Sequence, residues 1–101
     1  MGDHNYFVYI TTNPRKTTLY VGVTNNLEER IQQHYENRNN LKTFTGKYKC
    51  YYLVYYERYD WIDHAIDREK EIKKWRREKK EKLINEFNPE WKFLNDEITG
   101  F

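Results

Sequence analysis

Residues 6–24 read YFVYITTNPRKTTLYVGVT. Two runs rich in β-branched and aromatic residues, YFVYIT at 6–11 and LYVGVT at 19–24, bracket TNPRKTT, whose Asn-Pro step is a turn signal, so the stretch reads as a β-hairpin. Strict alternation places Val8 and Ile10 on one face of the first strand, and Leu19, Val21 and Val23 on one face of the second. Burying one face demands that aliphatic meet aliphatic across the pair, which leaves Tyr9 and Tyr20 together on the opposite face.

Outward from the hairpin, Asn26 followed by Glu29 has the form of a capping box and opens a predicted helix over about 27–38, with Leu27, Ile31 and Tyr35 as its apolar line. Arg30 and His34 flank that line at i,i+4. NRNNLKTFTGKYK is polar and loop-like, and CYYLVYYE predicts a third strand over about 50–57. Asp60 and Asp63 are placed to start a long helix whose stripe of Ile62, Ala65, Ile66 and Ile72 has Glu69 near its centre. Beyond Ile72 the stripe gives way to Lys73 and Arg76, and the C-terminal half is expected to emerge into solvent or toward an anionic partner. A further turn or two with Leu83, Ile84 and Phe87 stops at Asn88-Pro89. Residues 1–5 and 96–101 read as tails around one domain over 6–95.

A chain of 101 residues can bury one core without disulfide or metal staples. Charged residues make up 34% and aromatics 18%, so that core leans on amphipathic tyrosine and tryptophan. Cys50 is alone, which excludes an internal disulfide framework and a cysteine cluster for zinc. With no apolar run of transmembrane length and a polar start, a soluble, cytoplasmic protein without membrane association is expected. The net charge is +2, yet Arg68 to Lys82 holds nine Lys or Arg against four Glu, while the rest holds nine against twelve. Such a stripe, with Lys73, Arg76 and Arg77 at its centre, suits phosphate contact, and equally a solvated helix face held by ion pairs.

In order and spacing, FVY at 7–9, YVG at 20–22, LEERIQQH at 27–34, LVYYE at 53–57, REKEIKKW at 68–75 and FNPEW at 87–91 resemble the small single-domain branch of the GIY-YIG nuclease superfamily. The similarity covers nearly everything from Tyr6 to about Leu94, although Phe7 and Val8 replace the Gly and Ile for which the first motif is named. The resemblance implies an α+β domain with a small three-stranded antiparallel sheet flanked by helices. It also implies a magnesium- or manganese-dependent endonuclease acting on DNA, with structure-selective cleavage in repair or recombination as its candidate role and RNA left open as the alternative nucleic acid. A protein partner is a candidate source of target choice. The alternative is a binding module that keeps the fold without hydrolytic activity.

Carried over position by position, the motif tyrosines fall on Tyr9 and Tyr20, the helix residues on Arg30 and His34, the metal-binding glutamate on Glu69 and the C-terminal asparagine on Asn88. By this resemblance Glu69 anchors a metal, and Arg30 clamps the scissile phosphate, where its planar fork suits non-bridging oxygens. Tyr9 is the general base, which requires Arg30 or the metal to lower a phenol pKa of about 10. Tyr20 and His34 share the orienting of water and the relay of the proton. Gly22 leaves room for the sugar-phosphate backbone, or marks a bulge. Competing structural roles are a Glu69–Arg30 ion pair without metal, a helix C-cap at Asn88, packing for Trp75 and Trp91, and surface placement for His4 and His64.

Overall fold

The computed structural model describes residues 5–99. Strands β1 (Tyr6–Thr12), β2 (Leu19–Thr24) and β3 (Tyr52–Tyr59) form one antiparallel sheet in the order β2-β1-β3. The hairpin register pairs Val8 with Val23, Ile10 with Val21 and Tyr9 with Gly22, so aliphatic faces aliphatic and Tyr9 and Tyr20 share the other face, as alternation requires. The turn is held by Asn13, whose Oδ1 accepts from the amides of Thr17 and Thr18 at 2.8 and 3.0 Å.

Both faces of the sheet are covered. On one, Val8, Ile10, Val21 and Val54 pack with Ala65, Ile72 and Ile84 from α3 (Ile62–Lys74) and α4 (Arg77–Phe87). On the other, Tyr9 and Leu53 pack with Leu27 and Ile31 of α1 (Leu27–Glu36) and with Leu94. Each fully buried aliphatic side chain contributes about 1.5–3 kcal/mol. Burial on both faces explains why a three-stranded sheet suffices.

Four boundaries differ from the sequence expectation, each for a local reason. The third strand lies two residues later than 50–57, because Cys50 leaves the ladder to donate its amide to Thr45 O at 2.8 Å. Inside the polar loop, α2 (Phe44–Lys47) forms, capped by Thr43, whose Oγ1 accepts from Gly46 N at 3.0 Å. The long helix starts at Ile62 with Trp61 as N-cap, while Asp60 pairs with Arg58 at 2.7 Å. It stops at Trp75, whose ψ of 152° turns the chain and seats the indole against the first core, and α4 then runs as a separate helix.

The C-terminal segment is built into the fold. Leu94 N donates to Leu53 O at 2.8 Å, and the Asn95 amide clasps the exposed edge of β3, accepting from Leu53 N and donating to Tyr51 O. Residues expected as a tail from 96 therefore belong to α5 (Asn95–Thr99), which packs against α1. Residues 1–4, with His4, and residues 100–101 lie outside the described residues. Among those described, no helix is long and apolar enough to cross a membrane.

Candidate active site

Tyr9 is the centre of the site. Its side chain is 1% exposed and its ring lies across β2 over Gly22, its partner in the ladder. A Cβ at Gly22 would stand 2.4 Å from the Tyr9 hydroxyl oxygen and 2.5 Å from Cζ. Gly22 thus makes room for the phenol, and with the ladder in regular register on both sides of it there is no bulge. The Tyr9 hydroxyl reaches His34, with 2.8 Å between Oη and Nε2. His34 is carried there by α1, whose start is fixed by Asn26 accepting from Glu29 N at 3.0 Å, and whose buried line is Leu27, Ile31 and His34. Tyr20 closes the group, its ring centroid 6.3 Å from that of Tyr9 and 5.7 Å from that of His34.

Burial sets the protonation of the pair. It pushes the Tyr9 phenol well above its usual value, with Tyr20 and Glu69 adding to the rise and Arg30 opposing it. The lowering expected from cationic neighbours is therefore outweighed, and Tyr9 keeps its proton at neutral pH. Burial, with Arg30 second, lowers His34 from 6.5 to about 4, so its imidazole is neutral at pH 7 and shares one proton with the Tyr9 hydroxyl across the Oη–Nε2 contact. A stability consequence follows. Between these two values the unfolded chain binds the proton that the folded chain refuses, so His34 favours unfolding increasingly as pH falls from 6.5 toward 4. Replacing His34 with Gln should flatten urea-unfolding stability across that window by about 2 kcal/mol, a value discounted from the full shift for residual solvent contact. An unchanged slope would show that His34 does not titrate there.

Arg30 stands on the exposed side of α1 and lines a cleft of about 210 Å³ with Tyr20, His34, Thr43 and Phe44. It makes no ion pair among the described residues, so the Glu69–Arg30 pair weighed from sequence is not formed. Glu69, its side chain 14% exposed, pairs one turn on with Lys73 at 2.9 Å, and Lys73 Nζ lies 6.0 Å from the Tyr20 ring centroid. The acid and the Tyr20 phenol thus approach each other at the β2 edge through a lysine. No group of three or more His, Cys, Asp or Glu stands together among the described residues. One carboxylate fits a magnesium-class ion, which keeps most of its waters, and does not fit a structural zinc site.

Two expected participants lie elsewhere. Asn88 is buried as the C-cap of α4, its Nδ2 donating to Val54 O at 3.0 Å and Lys92 O at 2.9 Å, and its Oδ1 accepting from Lys92 N at 3.0 Å. Those bonds tie the 88–92 turn to β3 and leave no free donor for a substrate. Arg77 pairs with Glu81 at 2.7 Å and donates to the carbonyls of Thr17 and Lys16, which makes it a strut between α4 and the hairpin loop. Arg76 is exposed. Thr43 and Phe44 join the cleft unannounced by any sequence periodicity, since they sit in a loop whose helix is one turn long.

Residues 5–83 match the GIY-YIG catalytic domain. A UPF0213 protein of Haloquadratum walsbyi is 36% identical over 86 residues, covering 85% of this chain and 92% of that protein. A UPF0213 protein of Staphylococcus aureus is 35% identical over 82 residues, covering 81% and 96%. The fold is also that of the solution structure of a UPF0213 protein from Bacillus halodurans, with a TM-score of 0.56, 24% identity and coverage of 91% and 95%. With the hairpin, the Arg30–His34 helix and Glu69 all inside the matched span, the chain belongs to the GIY-YIG family.

Proposed function

We propose that the chain is a divalent-metal-dependent endonuclease that hydrolyses DNA phosphodiester bonds at the Tyr9–His34 pair. The GIY-YIG catalytic domain is a nuclease-type domain, and the observation that supports the chemistry is a buried neutral phenol–imidazole pair beside an arginine with no ion-pair partner among the described residues. Hydrolysis adds water across the bond: the water oxygen attacks phosphorus, its proton leaves, and the departing sugar oxygen ends as a hydroxyl. Tyr9 and His34 take up the proton together, the imidazole accepting it once the anionic substrate phosphate sits on Arg30 and cancels one of the two causes that lower its pKa. Arg30 holds the non-bridging oxygens, where charge grows in the transition state. Tyr20 orients the water against the pair.

Glu69 would hold the ion, magnesium or manganese, with Lys73 released to the substrate phosphate. Such an ion supplies positive charge to the phosphoryl and leaving oxygens. The basic stripe, with Lys73 and Arg76 as its outward members, follows the DNA backbone, while Arg77 serves the fold. A partner protein that selects the target, a cytoplasmic site of action and a role in repair or recombination complete this reading.

The test is cleavage of branched, nicked, single-stranded and duplex DNA with magnesium. Glu69→Gln, Arg30→Ala and Tyr9→Phe should each lower the rate about 100-fold, the usual scale for removing one transition-state contact. Binding without cleavage by wild type would favour a binding module whose Glu69 serves only Lys73, and equal cleavage by wild type and all three variants would show that these residues do not carry the reaction.

A further inference from the structure

The loop between α1 and β3 buries the wrong residues for a turn that only connects. In α2 the small Thr45 and Gly46 are buried, while Phe44 and the following Tyr48 are 46% and 44% exposed. Burial of apolar area favours the opposite arrangement. The turn is nevertheless fixed. A Cβ at Gly46 would lie 2.1 Å from Asn40 O, Thr43 Oγ1 donates to Asn40 O at 3.1 Å, and Cys50 N donates to Thr45 O at 2.8 Å. The exposed rings are thus held in place by the buried half of their own turn.

Those rings continue the site outward. The Phe44 centroid lies 5.7 Å from that of Tyr20 at an interplanar angle of 33°, and 4.6 Å from that of Tyr48. Lys47 Nζ stands 5.5 Å from the Tyr48 ring, and Arg30 shares the cleft with Phe44. A row of rings with cations beside it, one ring at the proton-transfer pair and two open to water, has the composition of a surface that binds single strands by stacking bases and holding phosphates.

We infer that Phe44 and Tyr48 form a stacking platform for unpaired nucleobases, next to the phosphate held by Arg30, so that the substrate is a single-stranded or unpaired DNA segment. This inference rests on the nuclease reading for its phosphate at Arg30 and adds the class of strand. A duplex keeps its bases stacked on one another and offers the platform no ring face.

The experiment measures fluorescence anisotropy without metal, using a labelled oligothymidylate about a dozen nucleotides long, an abasic strand of equal length and a duplex. Wild type should bind the oligothymidylate roughly tenfold tighter than the abasic strand, Phe44→Ala should lose that margin, and Phe44→Trp should keep it. Binding of the abasic strand should be the same in all three. Circular dichroism and melting of Phe44→Ala check that the exposed substitution leaves the fold intact, and the tryptophan variant keeps the comparison open if it does not. A Phe44→Ala protein that still prefers the base-bearing strand, or a wild type that prefers duplex, overturns the platform and leaves the nuclease reading standing. A base preference that depends on Phe44, in a wild type that cuts nothing, supports the platform and overturns the nuclease reading.

Discussion

Gly22→Ala should cost about 3 kcal/mol of stability, an overpacking penalty plus the loss of a buried hydrogen bond. The added methyl has nowhere to go but into the Tyr9 phenol, whose ring would have to move by more than the few tenths of an ångström that ordinary packing yields. That ring is boxed in by burial and by its bond to His34, so relief means breaking the Oη–Nε2 contact. Alanine is otherwise the better strand residue, which trims the loss slightly. The interpretation is checked by a double-mutant cycle with Tyr9→Leu, which ends short of the Gly22 position. In urea unfolding, the Gly22→Ala penalty should shrink by at least about 1 kcal/mol when Tyr9 is already leucine. A penalty that is small, or the same in both backgrounds, would show that the ring yields freely.

That coupling was half visible in the sequence. Alternation puts Tyr9 and Tyr20 on one face of the hairpin, and i,i+4 spacing puts Arg30 beside His34, because both follow from backbone periods that neighbours do not alter. Which way the Tyr9 ring turns is decided across the ladder, by the one residue opposite it that has no side chain. The break at Trp75 was equally hidden. Charged residues flank it on both sides, tryptophan is no helix breaker, and the turn is fixed by the indole's fit against the core, with Arg68 and Lys79 over its ring at 5.1 and 4.3 Å. Asn88-Pro89 announces a helix end whichever role Asn88 has, and only its bonds to Val54 and Lys92 separate a clamp from a reactive group. In α2, the burial of Thr45 and Gly46 beneath exposed aromatics inverts the hydrophobic pattern from which sequence reading works.

Arg68→Ala should cost about 2 kcal/mol and reach the site as well, because it breaks a part-buried ion pair on the turn that carries Glu69. Glu57 on β3 accepts from Arg68 Nε at 2.7 Å and from the hydroxyls of Tyr59, at 2.6 Å, and Tyr55. Arg68 also reaches Glu71 at 3.0 Å. Burial alone would raise the Glu57 pKa, yet these three donors more than offset it and hold the carboxyl below its ordinary value of 4.5. In the acid range the unfolded chain therefore takes the proton first. The contribution of Glu57 is complete above 4.5 and is lost as pH falls through the lower folded value. Removing Arg68 leaves the Glu57 charge half-buried with only two phenols, so Arg68→Ala should both destabilise the fold and move acid unfolding to higher pH. Replacing the pair together, Glu57→Gln with Arg68→Met, should recover most of the loss, since the glutamine oxygen still accepts from the two phenols and no charge is left stranded. The pair also ties α3 to β3. If Glu69 acts where it is placed, the double variant should regain stability more fully than it regains cleavage, while recovery of both to the same extent would show that α3 is set by Ala65 and Ile72 alone.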